Sequence, residues 1–334
     1  MTELFRMSYN TRMNDRSEQA ARRIAQLAAD RGGRAYFVGG CVRDKYIREL
    51  QGDSAASFAD SKDLDIEVHG LSPQALWELL QQVGEPAAFG ESFGVYSLHH
   101  LGLDIAMPRK EHATGRGHRD FDVSVDPHIG PKEAARRRDF TVNAMMEDVL
   151  TGELLDPWNG LADLEACVLR HVDDASFPED PLRVLRAAQF AARLEFAVAP
   201  ETVELCRGID LTALSKERVE GEMKKALLQS GRPSVFFETL RQMDALEPWF
   251  AELKALIGLE QDPVYHPEGD VWVHTMEVLD RAAARREKAE EPYGLLLLAL
   301  CHDLGKIMTT EEKNGRIHSY GHETEGLPLA EALL

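Results

Sequence analysis

Two aspartates, Asp63 and Asp65, are separated by one residue at the start of an apolar segment that has the composition of a strand. On an extended strand, side chains two residues apart point to the same face, so both carboxylates can meet one divalent cation. The pair Gly39-Gly40 precedes them and leaves the backbone free to approach a phosphate. These residue types predict a site for a metal ion and a triphosphate.

A third carboxylate, Asp104, lies on a second predicted strand. Three carboxylates can hold the two metal ions that organise in-line phosphoryl or nucleotidyl transfer. Their hard oxygen ligands favour Mg²⁺, which takes its remaining ligands from water and the triphosphate. The alternative is that the Asp-x-Asp pair is a chance feature of an exposed strand end.

Strand and helix signals are mixed in the first third of the chain and predict an α+β domain. The predicted elements are a helix over residues 17–30, strands at 35–38 and 64–68, helices from Val42 and after Pro73, and a hairpin-like region over 93–107. From about residue 160 onward the pattern is almost wholly helical, with prolines between the segments.

Composition restricts the class of protein. The chain has 334 residues, 44% of them hydrophobic and 28% charged, and no apolar run long enough for a membrane span. Its four cysteines have no paired spacing and its amino terminus lacks a secretory pattern, which together predict a cytoplasmic protein. No obligate protein partner is evident. A net charge of −19 argues against a uniformly basic nucleic-acid binder, although local basic clusters such as residues 136–138 remain.

Five segments occur in an order that resembles the motif series of class II tRNA nucleotidyltransferases, which are the CCA-adding enzymes and the related bacterial poly(A) polymerases. They lie at residues 39–44, 63–65, 137–144, 179–183 and 217–219. The resemblance implies a polymerase-beta-like nucleotidyltransferase head, a mixed sheet with helices, over residues 1–158. It also implies an all-helical neck and body over 159–262 and a helical region over 263–334.

The resemblance assigns roles to residues of the head. Asp63, Asp65 and Asp104 would be catalytic and would bind Mg²⁺, and Asp139 would accept a hydrogen bond from the ribose 2′-hydroxyl. Triphosphate binding falls to Gly39, Gly40, Arg43, Arg137 and Arg138. Without the other motifs, Asp139 and its neighbouring arginines could equally form an ion pair in a surface turn.

The segment at residues 179–183 carries the base-recognition prediction. In this family the residues that match Asp180 and Arg183 pair with the Watson–Crick edge of the incoming CTP or ATP and so replace a template. Acceptors on Asp180 and donors on Arg183 suit that role. Asp180 also stands directly before Pro181, a pattern typical of a helix N-cap, and capping is the competing interpretation.

The predicted reaction is addition of C, C and A to the 3′ end of tRNA from ATP and CTP. Poly(A) polymerase and partial CC- or A-adding activities are the alternatives within the class, because these enzymes share the same motifs. A polar, glycine-containing segment over 108–120 is predicted to be a surface loop. The resemblance links such a loop to the switch from CTP to ATP, and this favours full CCA addition.

A last cluster is similar to HD-domain phosphohydrolases: His274, the doublet His302-Asp303, and His322. Imidazoles with a carboxylate could hold a transition metal that activates water. After His322 the acidic residues are all glutamates, whereas such domains normally supply a further aspartate from a later helix. The domain is therefore predicted to be partial. A metal-dependent phosphohydrolase is the alternative function from another class, and a structural remnant is the alternative for the cluster. A non-catalytic RNA-binding protein is the third hypothesis for the chain.

Overall fold

A computed structural model of the protein describes residues 2–53, 58, 64–88, 94–113 and 121–333. The chain divides into two compact units, Met1–Glu179 and Asp180–Leu334. The finer division of the second unit into a neck with body and an HD-like region stays a prediction.

The first unit is built around a sheet with helices beside it. Its helices are α1 (Thr2–Ala29), α2 (Gly40–Leu50), α3 (Pro73–Leu80), α4 (Pro131–Arg136) and α5 (Gly160–Glu165). Its strands are β1 (Arg34–Val38), β2 (Leu64–His69), β3 (Ala87–Ala88), β4 (Val95–Leu98), β5 (Leu103–Ala106), β6 (Arg109–Ala113), β7 (Phe121–Val125), β8 (Met146–Asp148), β9 (Leu154–Leu155) and β10 (Val168–Leu169). This arrangement confirms the predicted α+β class.

Seven strands form the main sheet in the order β3-β4-β5-β2-β1-β8-β9. Strand β2 runs antiparallel to β1 and parallel to β5, so the sheet is mixed, as predicted. Strands β4 and β5 pair as an antiparallel hairpin within the region predicted to contain one. The parallel pair β2 and β5 places the predicted carboxylates on neighbouring strands.

Side chains on the two faces of the sheet explain why the helices pack where they do. Tyr36 and Val38 alternate along β1 and join a buried cluster that includes Ala134 and Ala135 of α4. Phe37 points to the other face and stacks on Phe58 with ring centroids 4.0 Å apart. Burial of apolar residues on both faces of β1 therefore stabilises the sheet.

The polar segment over residues 108–120 is not a simple loop, and this prediction was wrong for its first part. Strands β6 and β7 pair as a two-stranded antiparallel hairpin from Arg109↔Val125 to Ala113↔Phe121. The sequence of β6 has no apolar alternation that would indicate a strand, and backbone pairing with β7 stabilises it instead. Residues 114–120 lie outside the described part of the chain.

The second unit is mainly helical, as predicted. Its elements are α6 (Leu182–Leu194), β11 (Ala197–Val198), α7 (Pro200–Arg207), α8 (Lys216–Gln229), α9 (Ser234–Gln242), α10 (Ala251–Lys254), α11 (Val271–Ala283), α12 (Pro292–Cys301), α13 (Lys306–Thr309), β12 (Glu311–Lys313), β13 (Arg316–His318), α14 (His322–Glu325) and α15 (Leu327–Leu333). Among the described residues, no helix has the length and apolarity needed to cross a membrane.

Two features of this unit differ from the prediction. Helix α12 ends at Cys301, four residues before the predicted end at Gly305. The hairpin β12–β13 was not predicted, although Asn314-Gly315 between its strands is a strong turn signal. Both turn residues have positive φ, 57° and 74°, which Asn and Gly tolerate better than other residues.

Candidate active site

Asp65 and Asp104 lie side by side on the parallel strands β2 and β5, where they are direct register partners. Both are exposed, whereas the residues before and after each of them are buried. Since direct partners on neighbouring strands point to the same face, the two carboxylates form one acidic surface. Asp63 lies outside the described residues, so its position beside them stays a prediction.

The start of α2 lies next to this surface. Helix α2 begins at Gly40, and Gly39 before it has φ 74° and ψ −136°. A Cβ on Gly39 would stand 3.9 Å from Asp65 Oδ2 and 3.4 Å from Arg138 Nη1, so the backbone turn lies directly against both side chains. The first N–H groups of a helix have no intrahelical partner and favour anions, which suits the predicted triphosphate contact.

Glu67 anchors the arginines that were predicted to bind phosphate. It is fully buried on the same face of β2 as Asp65, 3.7 Å from Arg137 Nη2 and 3.5 Å from Arg138 Nη2. Burial alone would raise the pKa of Glu67, but the hydrogen bond with His69 and the charges of Arg138 and Arg137 lower it to about 2. Glu67 is therefore an anion that fixes two guanidinium groups beside the acidic surface.

Sequence reasoning gave Glu67 no role, although the alternation that carried Asp63 and Asp65 continues through Glu67 and His69. This period of two was the signal that could have found it.

A second chain of contacts positions Asp139. Its Oδ1 accepts hydrogen bonds from Asn143 Nδ2 at 2.9 Å and from the Phe140 backbone N–H at 2.8 Å. Asn143 Oδ1 in turn accepts from Arg43 Nη1 at 2.6 Å. Arg43 is only 3% exposed and also donates to Asp44, so it supports the site from inside the protein. Asn143 links the two predicted residues and was itself not predicted.

In the second unit, Asp180 and Arg183 form a turn at the start of α6. The Arg183 N–H donates to the Asp180 carbonyl at 3.0 Å, and Asp180 Oδ1 accepts from the Leu182 N–H at 3.2 Å. Asp180 thus bonds the first amide of the helix, but the N-cap residue of α6 is Pro181, so Asp180 is not the N-cap that the competing interpretation expected.

Arg218 of α8 holds the Asp180 side chain. Its Nη2 lies 3.1 Å from both carboxylate oxygens of Asp180, and the two side chains keep about a quarter of their surface exposed. Arg218 belongs to one of the quoted motifs and to a basic cluster that could face a nucleic-acid backbone, but no contact with Asp180 was predicted for it. The contact fixes the orientation of the carboxylate at the start of the helix.

The predicted histidine cluster is also assembled in the second unit. Asp303 is buried, and its carboxylate oxygens lie 3.6 Å from His274 Nε2, 3.3 Å from His302 Nε2 and 3.5 Å from His322 Nε2. The structure thus brings together all four residues from α11, the end of α12 and the start of α14. Lys306 Nζ also contacts Asp303, at 2.8 Å.

Packing of backbone on backbone brings His322 to the cluster. A Cβ on Gly305 would stand 1.9 Å from the His322 carbonyl oxygen, so only glycine permits this approach. The prediction took Gly305 as the end of a helix, whereas its role here is close contact with α14.

Glu268 is a further carboxylate of the cluster that was not predicted. Its Oε1 lies 2.6 Å from His274 Nδ1 and 3.0 Å from His266 Nδ1. Its own backbone N–H and the two imidazoles lower the pKa of Glu268 to about 2 despite some opposing desolvation. The groups His266, Glu268, His274 and His274, His302, Asp303 each present ligand atoms within 4.8 Å of one another. Such a nitrogen and oxygen donor set suits a transition metal.

Comparison with known proteins gives matches to the head and to most of the chain. Residues 35–170 match the family model of the poly A polymerase head domain. The multifunctional CCA protein of Stenotrophomonas maltophilia is 40% identical over 304 residues, covering 89% of this chain and 70% of the relative. The protein of that name from Pseudomonas fluorescens is 41% identical over 307 residues, covering 90% of this chain and 69% of the relative.

A solved structure is similar as well: a tRNA nucleotidyltransferase in complex with a primer tRNA and an incoming ATP analogue. It has a TM-score of 0.54 at 28% identity and covers 83% of this chain and 75% of its own. Identity of this level over most of both sequences, together with the matched head, confirms the resemblance read from the five motifs. The chain belongs to the family of multifunctional CCA proteins, which are tRNA nucleotidyltransferases with a head of the poly(A) polymerase type.

Proposed function

We propose that this protein adds C, C and A to the 3′ end of tRNA from CTP and ATP and releases pyrophosphate. The observation that carries the proposal is the exposed pair Asp65 and Asp104 on adjacent parallel strands, with the amino end of α2 beside it. A metal-dependent nucleotidyl transfer needs this combination of hard oxygen ligands and phosphate-binding N–H groups. Relatives at 40% identity carry the name multifunctional CCA protein, which supports the choice among related reactions.

Asp65 and Asp104, with Asp63 from outside the described residues, would hold Mg²⁺. Two exposed carboxylates on one face fit a hard divalent cation. When bound, the metal would lower the pKa of the attacking 3′-hydroxyl and neutralise charge on the leaving pyrophosphate.

The chain's own residues would position the nucleotide. Gly39 and Gly40 let the backbone approach the triphosphate, and the arginines fixed by Glu67 add positive charge. Asp139, held by Asn143, would accept a hydrogen bond from the ribose 2′-hydroxyl. Asp180 and Arg183 would read the base, with Asp180 oriented by Arg218. A tRNA substrate and four free thiols in the described residues fit a cytoplasmic enzyme.

The test is incorporation of labelled CTP and ATP with Mg²⁺ into tRNA transcripts that end before CCA, after C and after CC. Growth that stops after CCA is expected, and Asp65→Ala with Asp104→Ala should abolish it. Addition of C alone or A alone would assign a partial enzyme, and unlimited addition of A would assign a poly(A) polymerase. Absence of nucleotide incorporation on all three transcripts would refute the nucleotidyltransferase proposal.

We propose a metal-dependent phosphohydrolase activity as a second function of the same chain. The favouring observation is the convergence of four histidines on two carboxylates, those of Asp303 and Glu268. A transition metal held there would supply an activated water for attack on a phosphoester. The ammonium group of Lys306 already balances the negative charge of Asp303, so metal uptake should depend strongly on the imidazoles.

The test of this second function is metal content after dialysis against Ni²⁺, Co²⁺ or Mn²⁺, followed by hydrolysis of p-nitrophenyl phosphate. About one bound metal per chain is expected, lost in His302→Ala with Asp303→Ala. A wild-type protein that binds no metal and shows no hydrolysis would leave the cluster with a structural role.

A further inference from the structure

A buried ion pair joins α2 to β8 in the first unit. Lys45 Nζ lies 2.8 Å from Oε1 and 2.6 Å from Oε2 of Glu147. Only 16% of the Lys45 side chain and 6% of the Glu147 side chain are exposed. The two residues stand just outside the motif segments 39–44 and 137–144, and the proposed function assigns no role to either of them.

The surroundings of this pair exclude most of the water. Glu147 is the direct register partner of Phe37 on β1, and Phe37 stacks on Phe58. Lys45 Nζ lies 5.0 Å from the centroid of the Phe58 ring. Because opposite charges attract each other more strongly where water is excluded, the ammonium and carboxylate groups hold each other in one geometry.

Stability alone is a poor explanation for such a pair. Taking two charges out of water costs much of the free energy that their attraction returns, and apolar side chains of similar volume often stabilise a core equally well or better. A single unpaired charge in the same place is strongly destabilising. The distinctive contribution of Lys45 and Glu147 is a fixed connection between one point on α2 and one point on β8.

This connection is the second of two between α2 and the same short segment of the chain. Arg43 Nη1 donates to Asn143 Oδ1 at 2.6 Å, and Lys45 Nζ donates to Glu147, so both acceptors lie within residues 143–147. Arg43 and Lys45 are two residues apart on the helix and therefore project from different sides of it. Attachments on two sides fix the rotation of α2 about its axis as well as its distance from the segment.

The segment 143–147 is also connected to the proposed ribose contact. Asn143 Nδ2 donates to Asp139 Oδ1, and Asp139 is the proposed partner of the ribose 2′-hydroxyl. At its amino end, α2 offers the N–H groups proposed to bind the triphosphate. Ribose and triphosphate belong to one molecule, so the two contacts act together only when α2 and Asp139 have the right separation.

We propose that Lys45 and Glu147 are positioning residues that set the separation between the triphosphate contact of α2 and the ribose contact of Asp139. Neither side chain would touch the nucleotide. By holding the 2′-hydroxyl of a bound ribonucleotide at Asp139, the pair would increase selection of CTP over dCTP. This assignment rests on the nucleotidyl transfer proposed above and adds two residues to its specificity.

The experiment is steady-state incorporation of CTP and of dCTP by the full chain into a tRNA transcript that ends before CCA. The readout is the ratio of kcat/KM for CTP to that for dCTP. Lys45→Met should lower this ratio about tenfold, mainly through a higher KM for CTP, since a misplaced contact loses much of its effect. The nucleotide dCTP has no 2′-hydroxyl and should lose less.

Two variants at the same position of the helix serve as controls. Lys45→Arg keeps a cation that can bind the carboxylate of Glu147 and should keep the ratio within about threefold of wild type. Glu49 is a more exposed carboxylate, 39% exposed, whose Oε1 lies 3.6 Å from Lys45 Nζ. Because an exposed pair contributes little, Glu49→Gln should keep the ratio within about twofold.

The double variant Lys45→Met with Glu147→Leu separates positioning from stability. Replacing both charges by apolar groups should return the thermal stability that Lys45→Met loses, because no unpaired charge remains. The ratio should nevertheless stay low, since the connection between α2 and β8 is still missing. If Lys45→Met does not fold, the double variant alone gives the ratio.

The outcomes separate this inference from the proposed function. A ratio that stays at the wild-type value in both variants, or that returns together with thermal stability in the double variant, would overturn the positioning role while nucleotidyl transfer stands. Equal use of CTP and dCTP by wild type would overturn it as well. Absence of CTP incorporation by wild type would instead refute the proposed function itself.

Discussion

At the scale of single residues, the side chains of the candidate site in the head depend on neighbouring residues that hold them in position. Glu67 is not itself a predicted metal ligand, yet it contacts the two arginines that would bind phosphate and is fully buried. A buried carboxylate without its partners would be costly, so the three groups stabilise one another. Removing the carboxylate should release the arginines and leave the acidic pair in place.

We therefore expect Glu67→Gln to lower kcat/KM for CTP incorporation by roughly 10- to 100-fold, a size typical of a misplaced positioning group. The decrease in kcat/KM should come mainly from a higher KM if the arginines act by binding triphosphate. Glu78→Gln makes the same change on the exposed face of α3 and should have little effect. Unchanged kinetics in the Glu67 variant would show that the arginines are held by other contacts.

The thiols give a prediction with a definite pH dependence. Burial raises the pKa of Cys41 and of Cys301 to about 11 and that of Cys206 to about 12, so all three stay neutral in the native protein at pH 8. Cys167 is exposed. Because the thiolate is the reactive form, one thiol per native chain should react rapidly with a disulfide reagent at pH 8.

Raised pKa values also fix the sign of the stability change. Well below pH 9, the pKa of a free thiol, these thiols are neutral in both the folded and the unfolded chain. As pH rises past 9 the unfolded chain ionises first, so the stabilisation from burying the neutral thiols is lost as pH approaches 11. Mass spectrometry of labelled peptides at pH 8 identifies the reactive residue. Fast labelling of Cys41 or Cys206 at that pH would contradict the prediction.

At the scale of elements, the turn between β1 and α2 depends on one glycine. Gly39 has φ 74° and ψ −136°, a region that residues with a Cβ rarely adopt. Gly40 has ordinary φ, and a Cβ on it would meet Arg43 Nη2 at 3.5 Å, an ordinary contact. The two adjacent glycines therefore differ in how strictly they are required.

Gly39→Ala should destabilise the head by about 1–3 kcal/mol and reduce incorporation strongly, because strain at this turn would shift the amino end of α2 away from the acidic pair. Gly40→Ala is the matched control and should cost less than about 1 kcal/mol. Thermal unfolding and CTP incorporation measure both effects. Equal behaviour of the two variants would refute the importance of the positive φ.

The contact between α8 and the start of α6 gives a prediction about specificity. Arg218→Gln should leave Asp180 free to reorient, which should weaken discrimination against UTP and GTP by about tenfold or more, since one charged hydrogen bond is worth about 1.5–3 kcal/mol. Lys216→Gln removes an exposed charge two residues earlier on α8 and serves as control. Incorporation of each nucleotide into a tRNA ending after C gives the ratio directly.

At the scale of the whole molecule, the two candidate chemistries lie in separate units. Asp65 and Asp104 belong to Met1–Glu179, whereas the histidine cluster belongs to Asp180–Leu334. Each unit is compact by itself, so local changes at one candidate metal site should leave the other intact.

Asp65→Ala with Asp104→Ala should abolish nucleotide incorporation and leave phosphoester hydrolysis within about twofold of wild type. His302→Ala with Asp303→Ala should do the reverse. Addition of a chelator should stop both activities, and Mg²⁺ alone should restore only incorporation, because imidazole ligands favour transition metals. Loss of both activities in either double variant would indicate coupled units.

The sequence by itself determined the class of fold, the family and most of the residues that would do chemistry. Strand periodicity placed Asp65 and Asp104 correctly, because a period of two fixes which side chains share a face. The ordered motifs identified Asp139, Asp180 and Arg183 as candidates. The Asn314-Gly315 turn was readable in the same way but was missed, as were the strands of the polar segment after Pro108.

Only the tertiary structure decided which residues support these candidates. Glu67 with its arginines, Asn143 beneath Asp139, Arg218 on Asp180, and Glu268 in the histidine cluster all depend on contacts between distant segments. Local spacing carries no record of such contacts, since burial and packing of whole elements create them.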